Sequence, residues 1–181
     1  MTGFLADANR ILPAMATTVV VAGLAAPALA DNSDMARVVI NDARTLCTDY
    51  VEQDHSITTQ LESDGWSLHS SSENPVLADI DASREYAGLG KANFYAFTET
   101  YPTRQLIFCL VDIFTVEVEY DITGIGTDPT LVGDIVTTEA GVFGAWQVKD
   151  AAQLTLVQAY QDENSFHYQV TRVAAPSDKP W

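Results

Sequence analysis

Between Ser33 and Leu61 the apolar residues Met35, Val39, Ala43, Leu46, Tyr50, Ile57 and Leu61 recur at spacings of three, four or seven, which draws one stripe along a helix. Asn32, Ser33 and Asp34 supply N-cap chemistry, and an acid there suits the positive end of the helix dipole. Asp54-His55-Ser56 interrupts the stripe and divides it into a long and a short helix. Asp64-Gly65 ends it, because glycine takes the left-handed cap without strain.

The period then changes. Trp66-Ser67-Leu68-His69 alternates as a short strand, and Ser70 to Pro75 reads as a loop. Residues 77–87 give a weak helical signal through Leu77, Ile80 and Arg84, closed by Gly88 and Gly90. Phe94–Thr100 and Gln105–Asp112 read as two strands around a Tyr101–Arg104 hairpin. In the second of these, Leu106-Ile107-Phe108-Cys109-Leu110-Val111 is apolar on both faces, the signature of a central strand covered on both sides or deeply buried. Residues 115–122 alternate strictly, with Val116, Val118, Tyr120 and Ile122 against Glu117, Glu119 and Asp121. That pattern fits a half-exposed strand or a surface helix. Pro129 suits the first turn of a short helix through Ile135. Phe143–Lys149, Gln153–Tyr160 and Phe166–Val173 are three strands joined by connections of hairpin length.

Runs of helix followed by runs of strand predict an α+β fold. The expectation is an antiparallel sheet of about five to six strands with a long N-terminal helix packed on one face. Residues 31–173 form that single domain, preceded by a leader over 1–30 and followed by a flexible tail, 174–181, that holds two prolines.

The leader changes the setting. Arg10 is its only cation, Ile11 to Ala30 is uncharged and apolar, and Ala28-Leu29-Ala30 places small residues where signal peptidase accepts them. Cleavage before Asp31 makes the mature chain periplasmic or secreted, with no stable membrane insertion. An uncleaved anchor is the alternative, but Pro13, Thr17, Thr18 and Pro27 make a poor spanning helix. The leader holds one base, Arg10, and one acid, Asp7, so its loss leaves the net charge of -16 unchanged. That acid excess excludes nucleic acid as a partner and disfavours anionic lipid surfaces.

In an oxidising compartment two cysteines, Cys47 and Cys109, pair more readily than they bind metal, and no CxxC supports a redox role. A disulfide would tie the first helix to the apolar central strand. A helix with Cys47, then Gly65-Trp66, then a buried strand with Cys109 and a strand meander resembles small exported bacterial proteins of unknown function. That resemblance implies a secreted, disulfide-stapled α+β domain and carries no activity with it.

Candidate chemistry is sparse. His55, His69 and His167 form no HExxH and no pair at helical spacing, so no metal is expected. Glu117, Glu119 and Asp121 with Asp128 crowd carboxylates together, yet residues 121–128 do not match a calcium loop, and a solvated acidic face accounts for them. Gly124-x-Gly126 lacks a third glycine, and Ser70, Ser71 and Ser72 form a loop rather than a nucleophile elbow. No catalytic residue and no cofactor emerge. The suggestive residues are aromatic: Tyr95, Phe97, Trp146 and Tyr168 are candidates to face a small apolar ligand, with core packing as the plain alternative. The expected function is a non-enzymatic binding or envelope-associated protein, whose partner would be a small apolar ligand or an envelope protein. The alternatives are a small periplasmic hydrolase using a carboxylate–His pair and a carrier of a small apolar ligand. A histidine in a cleft beside a buried acid would favour the hydrolase.

Overall fold

In the computed structural model, residues 32–52, 57–71, 80–114 and 118–175 are described. The leader, His55, Glu117 and most of the C-terminal tail lie outside them. The chain forms α1 (Asn32–Glu52), α2 (Thr58–Ser63), β1 (Ser67–Ser71), β2 (Ile80–Tyr86), β3 (Gly90–Tyr101), β4 (Arg104–Phe114), a 3-10 segment (Ile122–Thr127), β5 (Leu131–Thr138), β6 (Gly141–Val148), β7 (Leu154–Gln161) and β8 (Ser165–Ala174). No described helix is long and apolar enough to cross a membrane.

The fold is α+β, with the long N-terminal helix packed on an antiparallel sheet. The sheet has eight strands in the order β1-β2-β3-β4-β8-β7-β6-β5, rather than five to six. The two additions come from segments read as helical. In β2, Ile80, Ala82 and Tyr86 are buried and Asp81 and Glu85 point away, a period-two pattern blurred by the buried small residue Ser83. In β5, Pro129 opens no helix: Asp128 takes the Thr130 N–H and hydroxyl in a tight turn, and the chain then pairs along β6. Edge position hides β5 in the sequence, because little of it is buried. At the C-terminus β8 runs on to Ala174, which is buried, one residue past the expected domain end.

Topology dictates what covers the sheet. β4 ends in the middle and β5 begins at one edge, so the connection must cross over β8, β7 and β6. Val118, Tyr120, Ile122 and Ile125 are buried along that crossing. The alternation seen over 115–122 is therefore real, but the segment from Val118 is extended coil and then the 3-10 turn. It lies over the sheet rather than beside it, so the Tyr120 N–H bonds the Gln161 side chain (3.0 Å) instead of a ladder carbonyl. The Tyr120 ring stacks on Phe166, with centroids 4.7 Å apart. Trp146 fills the space below, with its indole against Gly126 and Gly144. A Cβ at Gly144 would sit 2.0 Å from that ring.

Helix α1 covers the other half of the same face. Val39, Ala43, Leu46, Cys47 and Tyr50 are fully buried. Cys47 and Cys109 form a disulfide, with Cα atoms 5.3 Å apart, that ties α1 to the central strand β4. Polar clamps flank it. On one side Asp42 accepts from Arg84 (3.0 Å) and from the Tyr86 hydroxyl (2.6 Å). Burial, then the Asp42 bond, pushes the Tyr86 pKa far up and keeps that hydroxyl a donor. On the other side Arg44 reaches Asp128 at 2.7 Å, joining the helix to the end of the crossing segment. Beneath it burial pushes Tyr168 up to about 12, with Arg44 pulling the other way. At the end of α2, Gly65 has φ +84°, the left-handed cap expected from Asp64-Gly65.

Candidate functional site

Strand pairing assigns every side chain to one of two faces, since partners across a ladder point the same way. One face carries the row Trp146–Val157–Val170–Cys109–Ala96 and its neighbours, all buried under α1 and the crossing segment. The opposite face carries the row Val132–Gln147–Leu156–Thr171–Phe108–Phe97. Among the described residues nothing packs over this second face. Among the described residues, every exposed large apolar side chain except Val38 lies on it: Tyr95, Tyr101, Phe114, Val132, Val136, Phe143, Leu154 and Leu156. Val132 is 55% exposed and Phe114 60%.

The face has an internal order. Its β3–β4 half is aromatic, with Phe97 and Phe108 stacked 4.6 Å apart. Its β5–β7 half is more aliphatic. Between them runs an amide ladder, in which the Gln169 amide donates to Gln158 (3.1 Å) and to the Thr171 hydroxyl (3.0 Å). Ala145, flanked by Gln147, Leu156 and Gln158, floors a shallow depression of about 210 Å³. Across β6, β7 and β8 this face carries no carboxylate, and on β4 only Asp112, which is 8% exposed and takes the Asn93 amide at 2.7 Å. A chain of net charge -16 thus leaves one nearly buried carboxylate, Asp112, at the centre of one broad surface.

The four singled-out aromatics divide between the two faces. Tyr95 and Phe97 stand on the open one; Trp146 and Tyr168 are buried on the covered one. They line no common cavity. The sequence signal for the open face was β4, apolar on both sides; the pairing that extends it to Val132 and Val136 has no local signature.

His167 also lies on the open face, directly across from Asp112. Its ring stacks on Tyr160 (5.9 Å), meets Phe114 edge-on (5.8 Å), and places Nε2 3.2 Å from Ser165 Oγ. Ser165 Oγ donates to Asp162 Oδ1 at 2.9 Å. A hydroxyl has one proton, so Ser165 accepts from His167 and the imidazole does not act on it as a base. No hydrogen bond joins Asp112 to His167 among the described residues. His69 bonds Ser83 Oγ at 2.6 Å, away from any described carboxylate partner. No group of three His, Cys, Asp or Glu among the described residues could hold a metal.

The acidic residues near the crossing are structural. Asp121 caps the 3-10 segment through Thr123. Its carboxyl is held below the usual range by the Thr123 hydroxyl. Asp128 is lowered by the Thr130 hydroxyl first, then its N–H and Arg44. Asp162 is lowered by the Asn164 N–H first, then by Ser165. Depressed carboxyls add stability that is complete above the unfolded pKa of about 4 and is lost as pH falls through the folded values. The melting temperature is therefore expected to drop on acidification below about pH 4. Asp128→Asn should flatten that drop and lower the melting temperature at pH 7; an acid limb unchanged by the substitution would remove Asp128 from this account.

A second hollow, about 390 Å³, lies where α1 ends, between Glu52, Ala151–Gln153, Thr155 and Arg172. Among the described residues Arg172 Nε has no hydrogen-bond partner, and burial lowers the guanidinium pKa while Glu52 raises it. Glu52 and the helix's C-terminal carbonyls place negative charge beside it, which opposes an anion. No protein-family model, curated protein or solved structure matches this chain.

Proposed function

We propose that this chain is an exported, non-enzymatic binding domain, periplasmic or secreted, whose working surface is the open face of the sheet. The observation that carries the reading is the gathering of exposed large apolar side chains on one face whose central strands hold a single, nearly buried carboxylate, in an otherwise acidic molecule. Apolar patches of that extent on soluble proteins mark interaction sites. The export half rests on the leader and on the disulfide, a bond that persists in oxidising compartments. The hydrolase alternative needs a carboxylate–His pair, and among the described residues no hydrogen bond joins His167 to Asp112 or His69 to a carboxylate. The ligand-carrier alternative loses support from the separation of Tyr95 and Phe97 from Trp146 and Tyr168.

Native mass spectrometry of the protein isolated from its own compartment tests the reading. The expected result is a complex that disappears in Leu156→Glu, with the melting temperature of the variant within a few degrees of wild type. A bare monomer, or a complex that survives the substitution, removes the open face from this role.

A further inference from the structure

We infer that the occupant of the open face is a second copy of this chain, docked sheet to sheet about a two-fold axis that runs along β8. The inference rests on the binding role of that face and names its partner.

Three observations carry it. The first is the missing cover. Leu106, Phe108 and Leu110 give β4 a second apolar side, as a strand covered on both faces requires, yet α1 and the crossing segment cover only one. The second is size. With the axis along β8 seven strands overlap, from β2 to β5 across the sheet; about 4.8 Å apart and with roughly eight residues of shared length they span about 29 by 26 Å, or roughly 750 Å². Stable interfaces bury about 600–1,000 Å² per partner. The third is charge. Two chains of net charge -16 repel wherever their carboxylates meet, and this face keeps them off β6, β7 and β8 and, on β4, to the nearly buried Asp112; only at the rim does the axis bring like charges together, Asp81 of one copy over Asp134 of the other. A basic partner would instead seek the acidic surfaces.

The arrangement within the face is self-complementary, as a two-fold interface must be. An axis along β8 sets β4 of one copy over β7 of the other and β3 over β6. The aromatic half of each copy then covers the aliphatic half of its mate. Along the central row Leu156 opposes Phe108, and Thr171 lies next to its own image. Glutamine amides both donate and accept, so Gln169 can meet its own image, while Gln158, whose carbonyl already accepts from Gln169, lies over Leu110 of the mate. Two sheets about 10 Å apart then enclose one apolar layer, closing the sandwich that each chain leaves half built.

Sedimentation equilibrium of the purified protein at 10 µM, in 0.1 M and 1 M NaCl, should give twice the monomer mass. Leu156→Glu and Phe108→Lys should each weaken association by about 100-fold or more, because each buries an unpartnered charge. An equimolar mixture of the two variants should restore the dimer: Glu at 156 of one copy then meets Lys at 108 of the other, while the second contact stays wild type. Restoration also shows that both variants fold. A wild-type chain lacking residues 1–30 that is monomeric at 100 µM overturns the inference. So does a dimer that survives both substitutions, which is held elsewhere, or a mixture that stays monomeric. A dimer that forms only after residues 1–30 are removed supports it; a chain that stays monomeric after that removal does not. If the native isolate instead holds a different partner lost in Leu156→Glu, the second copy is refuted and the binding face stands. A bare monomer refutes both.

Discussion

Replacing Cys47 and Cys109 together by alanine should lower the unfolding free energy by about 4 kcal/mol. The bond closes a loop with a sequence separation of 62, and in the chain-entropy model a loop of that length restricts the unfolded chain by roughly that amount. Domains of this size have only about 5–15 kcal/mol to lose, so the variant should be marginal at 37 °C. Both sulfurs are fully buried between α1 and β4. The effect therefore falls on the contact that holds the main helix to the sheet. With a urea m-value of about 2 kcal/mol/M, the midpoint should move down by about 2 M. Reducing the wild-type protein should give a similar shift. A shift below about 0.5 M would mean that the reduced unfolded chain is already compact and that the staple adds little.

Phe166→Ala should destabilise by about 3–5 kcal/mol, the range for removing a buried phenylalanine. The ring is fully buried and stacks on Tyr120, so it joins β8 to the crossing segment. Its loss opens a cavity under that segment. Urea unfolding followed by tryptophan emission should show a lower midpoint. Phe166→Leu, which keeps most of the volume, should recover more than half of the loss. Equal damage from both variants would point to the aromatic stack, rather than volume, as what holds the crossing in place. A loss below about 1 kcal/mol in Phe166→Ala would mean that the crossing segment is held from its ends, through Arg44–Asp128 and the Gln161 side chain.

The open face was half legible. Phe97, Tyr95 and the double-sided β4 are visible in the chain because they alternate or run apolar within one strand. Val132, Val136, Phe143 and Leu156 belong to the same surface only because β5, β6 and β7 pair onto β8 in that register. A local pattern reports what one strand buries; it does not report which strand lies next to it, or whether anything lies above.

The sequence by itself determined the long helix, its inward stripe, the cap at Gly65, the central strand and the three-stranded meander. These follow from periods of 3.6 and 2, which reflect backbone geometry and need no partner. It also set the α+β class and brought forward the two cysteines that pair. Tertiary structure decided the rest. It made β2 and β5 strands, because a ladder partner overrides a weak local preference. It turned the alternation at Val118–Ile122 into a crossing, because an extended chain buries every second residue whether it lies beside a sheet or over it. It placed Trp146 and Tyr168 on the opposite side from Tyr95 and Phe97, because only the register of eight strands decides which alternate residues share a face.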